Sequence, residues 1–238
     1  MQVSVVIPVY KPELTKSEKA ALLQCKQVLG SYPIQLIAPE TLDLTLYFEL
    51  LQKEVQVKRF NDTYFKSVQG YSRLLLSRFF YKEFLEYDYI LIYQLDAWVF
   101  SDQLKYWVET GYTYIGAPWL ESPPLPEGKK IRFNLSKYLK NKVGNGGFSL
   151  RHVHTHYAWA SWTRFVFRLL PKNEDIIWAL FTRLKKPTVE EALRFAFEMQ
   201  PSRSFSHTKG SLPFGCHAWE KYEPEFWSHF IDLEISNG

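Results

Sequence analysis

The sequence lacks several features that would settle its class at once. Its 238 residues include only two cysteines, Cys25 and Cys216, far apart and in no metal-binding spacing. Two buried thiols in a reducing cytoplasm are therefore expected, rather than a disulfide framework or a zinc module. No apolar run approaches the roughly 18 residues of a spanning helix. The opening M-Q-V-S-V-V-I-P-V-Y has no basic stretch and no cleavage site, and Pro8 interrupts it early. The expectation is a soluble, cytoplasmic protein, attached to the inner face of a membrane at most peripherally. A net charge of +4, with no Lys/Arg block and no nucleic-acid motif, gives no reason to expect a nucleic-acid partner. The dinucleotide and P-loop fingerprints, G-x-G-x-x-G after a strand and G-K-[ST], are also missing. Internal repeats and low-complexity tracts are absent.

What is present is a chain able to fill a core. Hydrophobic residues make up 46% and aromatic residues 17%, with 8 Trp and 15 Tyr; such rings serve packing and flat binding surfaces alike. The first hundred residues alternate strand and helix. V-S-V-V-I-P-V-Y (3–10) reads as a buried strand, Leu14–Leu29 as a helix ending at Gly30, Pro33–Pro39 as a second strand and Val55–Phe60 as a third. Ser67–Glu86 reads as one long helix, and Tyr89–Phe100 as a strand apolar on both faces. This order predicts an α/β fold with a mostly parallel, helix-covered sheet. Further expectations are a short strand at Tyr112–Ala117, a proline-rich loop at Glu121–Lys130 and a strand at Phe148–Leu150. Helices are expected at Tyr157–Leu170 and Ile176–Leu184, with little pattern after Pro187. The whole of 1–238 reads as one domain, with 1–100 as a nucleotide-binding half and 101–238 as a catalytic, acceptor-binding half.

Four stretches could carry chemistry. Asp96 ends the strand at 89–100, where ligands sit in such sheets, and a carboxylate there can hold a divalent cation; its plain alternative is a helix cap. V-G-N-G-G-F-S-L-R (143–151) concentrates glycines where backbone could approach a ligand closely, or simply turn. In K-N-E-D-I-I-W (172–178), Asn173 is expected to cap a helix, putting Glu174 and Asp175 in its first turn. The macrodipole there favours anions and would keep a general base ionised. His217, in a loop with Pro213 and Gly215, is an ordinary surface histidine or a ligand for an ion such as Mn²⁺. His152, His154 and His156 would share one face if their segment were a strand, and could then converge on a metal. The aromatic, basic segment 157–170 could pack in the core or present Trp and Arg to a lipid-linked or polysaccharide acceptor.

Together, V-V-I-P-V-Y, Q-G-Y-S-R-L-L-L-S (69–77), Y-I-L-I-Y-Q-L-D-A-W (89–98), Y-I-G-A-P-W (114–119), G-N-G-G-F-S-L-R (144–151), N-E-D-I-I-W (173–178) and F-G-C-H-A-W (214–219) resemble the DUF5672 group of bacterial and fungal GT-A-like proteins. The resemblance implies a GT-A-like fold and a glycosyltransferase using a nucleotide-sugar donor and a glycan or lipid-linked glycan acceptor, in polysaccharide biosynthesis. It implies a divalent metal, Mn²⁺ or Mg²⁺, held by Asp96 as the second acid of a degenerate D-x-D whose first position is Gln94, and by His217. The donor would be met by Pro8, Val9, Tyr10, Arg73, Gln94, Asp96, Gly146 and Gly147. Asp175 would be the base of an inverting transfer, as in β-1,4-galactosyltransferase-type enzymes, with Glu174 orienting sugar or acceptor. Trp119 and the proline-rich loop would close over the donor. Alternatives are a retaining transferase, a metal-independent one using Arg73 or Arg151, a non-catalytic carbohydrate-binding scaffold, and a hydrolase built on the three histidines.

Overall fold

The computed structural model describes residues 1–52, 55–122, 135–170 and 173–233. In chain order the first half runs β1 (Val3–Pro8), α1 (Lys16–Leu29), β2 (Ile34–Pro39), α2 (Thr45–Leu51), β3 (Gln56–Phe60), α3 (Val68–Leu75), α4 (Arg78–Lys82), β4 (Tyr89–Tyr93) and β5 (Ala97–Val99). There follow α5 (Leu104–Glu109), β6 (Tyr114–Ile115), β7 (Pro118–Trp119), β8 (Lys142–Val143), β9 (Phe148–His152), α6 (Val153–Leu169) and α7 (Glu174–Leu180). The chain closes with α8 (Val189–Phe195), β10 (Ala196–Phe197), α9 (Pro201–His207), β11 (Gly215–His217) and α10 (Pro224–Trp227). Most of the proline-rich loop falls outside the described residues, as does the polar end after 233.

The main sheet has six strands in the order β3-β2-β1-β4-β9-β6. β3, β2, β1 and β4 are mutually parallel, while β9 runs antiparallel to β4 and β6. Every residue of β1, β2 and β4 is buried, as strands covered on both faces must be. Side chains alternate between two cores. Val5, Ile7, Leu91 and Tyr93 meet Leu22, Cys25 and Leu29 of α1 on one side; Val6, Ile90 and Ile92 meet Leu74, Phe80 and Trp178 on the other. No disulfide joins the two buried cysteines.

Local chemistry explains most boundaries. Thr15 and Glu18 form a reciprocal capping box that starts α1. The long helix expected over Ser67–Glu86 is broken in two. The Ser77 hydroxyl donates to the Leu74 carbonyl (2.6 Å) and accepts the Phe80 N–H (3.3 Å), ending one helix and capping the next. The three-histidine metal site does not form either. The strand ends at His152, whose ring caps α6 by accepting the Thr155 N–H, and His156 is buried among Tyr81, Tyr114 and Trp178 while His154 is exposed. The region after Pro187 is more ordered than its pattern suggests: it supplies β10 and β11, which with β5 form a second sheet, β10-β11-β5. Trp98, Phe197, Trp219 and Trp227 pack together over it.

Candidate active site

The strand order reverses between β1 and β4, and in open α/β sheets a crevice opens at that switch point. Here it is a cleft of about 1040 Å³, lined by Pro8 at the end of β1 and Val9 after it, and by Gln94, Leu95 and Asp96 after β4. Pro8 and Val9 are buried and Tyr10 is 58% exposed at the cleft wall.

The Gln94–Asp96 turn is fixed by backbone pairing. Gln94 N–H donates to the Gly147 carbonyl and Ala97 N–H to the Gln94 carbonyl, both at 2.9 Å. The second sheet then brings the other polar groups. Its antiparallel register sets His217 opposite Ala97, beside Asp96, and the parallel pairing of Phe197 with Cys216 leaves Glu198 next to His217. His217 Nε2 lies 3.2 Å from Asp96 Oδ1 and 3.1 Å from Gln94 Oε1, and Nδ1 lies 3.4 Å from Glu198 Oε1. Burial opposes charge on the ring, but Glu198 and Asp96 outweigh it and raise the His217 pKa well above its usual value. Burial likewise works against the Asp96 carboxylate, and His217 reverses this, holding the carboxyl below its usual range.

Gly146 and Gly147 line the cleft and also make room for the protein's own side chains. A Cβ on Gly147 would stand 1.9 Å from His217 Nε2, and one on Gly146 would stand 2.1 Å from Glu174 Oε1. Beneath them lies a buried ion pair. Arg151 is fully buried and donates from Nη2 to Glu174 Oε1 (2.8 Å) and the Gly146 carbonyl (3.2 Å), from Nε to Ser149 Oγ (3.0 Å), and from Nη1 to Tyr81 Oη (3.2 Å). It is thus committed to the scaffold, which removes it as a phosphate-binding cation. Arg73 is exposed on α3 and is not among the residues that line the cleft. Removing one member of such a buried pair strands the other. Arg151→Met is expected to cost about 3–5 kcal/mol, seen as a fall of roughly 10 °C or more in Tm, with much of it recovered in Arg151→Met/Glu174→Met.

Asn173 makes no side-chain cap bond to α7; instead Glu174 N–H donates to Ser72 Oγ at 3.2 Å. Asp175 lines the cleft and accepts the Ile176 N–H at 2.7 Å. Its ionisation differs from the expectation drawn from the helix dipole. Burial, then the charges of Glu174 and Glu198, push its pKa up to about 7, because desolvation beside two acids exceeds the pull of a seven-residue helix. The sequence reading missed Glu198, which follows a two-residue strand, and the exposed Lys66 and Lys221 at the cleft. A basic residue four positions beyond His217 was the available signal for Lys221.

No group of three or more His, Cys, Asp or Glu among the described residues is arranged to hold a metal ion. The smaller set of Asp96 and His217, with the Gln94 amide oxygen, would fit a divalent cation that displaces the proton from His217 Nε2 and takes its other ligands from outside the protein. Glu198 Oε1, 3.4 Å from Nδ1, stands where a carboxylate would orient a metal-binding imidazole through its other nitrogen.

This architecture is the GT-A glycosyltransferase fold. Core-mannan synthase A (CmsA/Ktr4) from Aspergillus fumigatus, in its Mn/GDP form, matches with a TM-score of 0.58 at 9% identity, over 80% of this chain and 73% of that one. Mouse xyloside xylosyltransferase 1, apo form, matches at 0.55 and 12% identity over 91% and 97%. The glycosyltransferase GlyE of Streptococcus pneumoniae TIGR4 matches at 0.57 and 12% identity over 98% of this chain but 61% of its own, so the chain spans less than two thirds of GlyE. Residues 54–217 match the family described as "Protein of unknown function (DUF5672)", and the chain belongs to that family. No curated protein matches the sequence.

Proposed function

We propose that the protein is a metal-assisted, inverting glycosyltransferase that moves a sugar from a nucleotide-sugar donor to a hydroxyl of a glycan or lipid-linked glycan. One observation carries this reading: Gln94, Asp96 and His217 converge at the carboxyl end of β4 in the same cleft as Asp175, a carboxyl poised near neutral pH. The nucleoside lies along Pro8, Val9 and Tyr10, with the Tyr10 ring as a stacking face. Asp96, His217 and Gln94 would hold Mn²⁺ or Mg²⁺, and Lys66 and Lys221 add positive charge at the cleft wall. When bound, the cation offsets charge growing on the departing diphosphate. The Mn/GDP form of core-mannan synthase A supports testing that ion and a nucleoside diphosphate first.

Asp175 takes the proton from the acceptor hydroxyl as that oxygen bonds to the anomeric carbon and the bond to the diphosphate oxygen breaks. Glu174 is held by Arg151 through Oε1, and its buried Oε2 has no hydrogen-bond partner among the described residues. A single displacement inverts the anomeric carbon. The configuration of the product, read by NMR of its anomeric proton, is expected to be opposite to the donor's; the same configuration would remove Asp175 from the role of base.

A further inference from the structure

α6 packs inward through Val153, His156, Ala160, Thr163, Val166 and Phe167. Its outward side is the unusual one. Trp162, Phe165 and Leu169 are 48%, 53% and 65% exposed and follow one another at helical spacing, with exposed Ala158 and Ser161 beside them. The Trp162 and Phe165 rings lie 5.9 Å apart, so they form one ridge. Six of the eight tryptophans (Trp98, Trp107, Trp119, Trp178, Trp219 and Trp227) are buried, which makes an exposed one a departure for this chain. The outer side of an amphipathic helix ordinarily carries mixed charge. The 17 residues of α6 contain no Asp or Glu, and the cations on it besides histidine are Arg164 and Arg168, both exposed. Exposed Arg183 stands two residues beyond Phe181, whose carbonyl accepts the Trp162 Nε1–H at 2.9 Å.

We infer that this face docks on an anionic lipid bilayer, with Trp162, Phe165 and Leu169 entering the boundary between headgroups and acyl chains and Arg164, Arg168 and Arg183 meeting the headgroup charge. Aromatic and aliphatic side chains rimmed by arginine, with no acid among them, are the composition such an interface selects. A second copy of the chain would fit the ridge poorly, because self-pairing sets arginine against arginine. One consequence rests on the glycosyl-transfer reading. Leu169 and Asn173 are four residues apart, at most ~15 Å of chain, so the ridge ends close to the helix that carries Asp175. Docking there would present the base to an acceptor borne on the membrane.

Sedimentation with vesicles tests the docking without any turnover. The protein is expected to pellet with phosphatidylcholine–phosphatidylglycerol vesicles and much less with phosphatidylcholine alone. Trp162→Ser/Phe165→Ser/Leu169→Ser should remain in the supernatant while keeping the wild-type melting temperature. Arg164→Gln/Arg168→Gln should bind the anionic vesicles about 30-fold more weakly. Wild type that stays in solution with both vesicles, or a triple variant that pellets like wild type, overturns the inference. So does a wild-type dimer that the triple substitution converts to monomer, since a second copy would then own the face. Nucleotide binding by the triple variant, measured separately, keeps a failure here distinct from a failure of the transferase reading.

Discussion

Asp175→Asn is expected to lower sugar transfer by about 10²–10⁴-fold while leaving donor binding close to wild type. The asparagine keeps the shape of the side chain and loses the ability to take a proton. The wild-type pH profile supplies an independent check. Burial, then Glu174 and Glu198, lift the Asp175 pKa to about 7, and a base works only when ionised. The kcat/KM should therefore rise with pH, bend near 7 and level off above it. Stability should run the other way. Asp175 ordinarily ionises near 3.8, so between that pH and about 7 the folded chain binds the proton that the unfolded chain releases. The folded state thus loses stability as pH rises through this window, by up to ~4 kcal/mol at about 1.4 kcal/mol per unit. Asp175→Asn should remove that loss and raise the melting temperature above pH 7. Near-normal transfer by the variant, or a flat profile across neutrality, would show that another group takes the proton.

Gly147→Ala is the second large effect, and it acts through geometry. The added methyl would stand 1.9 Å from His217 Nε2, on a ring held between Asp96 and Glu198 with little room to withdraw. The ring or the Gly147 backbone must move, and either motion separates His217 from Asp96 and Gln94. Metal-dependent nucleotide binding should weaken at least tenfold, about 1.4 kcal/mol, and transfer should fall further. Gly146→Ala, which crowds Glu174 Oε1 at 2.1 Å, should harm stability more than cation binding, because it strains the buried pair with Arg151. If Gly147→Ala binds metal and nucleotide like wild type, His217 is not held where the site requires it.

The parts of the fold legible in the sequence are those governed by local pattern. β1, β2 and β4 are predominantly apolar because both faces of the sheet are covered, and Asp96 stands out as the first carboxylate after β4. The break inside 67–86 escapes a periodicity argument because apolar spacing continues across it; its local mark is Ser77, a serine at a cap position. The three histidines alternate like strand residues, but the chain has already turned into α6 at His152, where the ring acts as a cap.

The arrangement of Asp96, Glu198 and His217 is harder to read, since it depends on pairing between distant segments. Glu198 and His217 reach Asp96 only because β10, β11 and β5 pair in one register, and strands of two and three residues leave almost no pattern. In the sequence His217 stands out as an imidazole close to Pro213 and Gly215, and no comparable local feature marks Glu198. Asp175 shows a different limit. Its place in the first turn of a helix is visible in the sequence, but the burial that lifts its pKa, and the nearness of Glu198, belong to the folded chain. Arg151 reads as a free cation in the sequence for the same reason: only packing reveals that its hydrogen bonds serve Glu174, Gly146, Ser149 and Tyr81.

Calorimetric titration of nucleoside diphosphates and nucleotide sugars into wild type and Asp96→Ala, with and without Mn²⁺, tests the central claim most directly. The account predicts that one nucleotide binds in the presence of Mn²⁺, loses most of its affinity without it, and shows no such dependence in the variant. Binding that ignores both Mn²⁺ and Asp96, or no nucleotide binding at all, would contradict it.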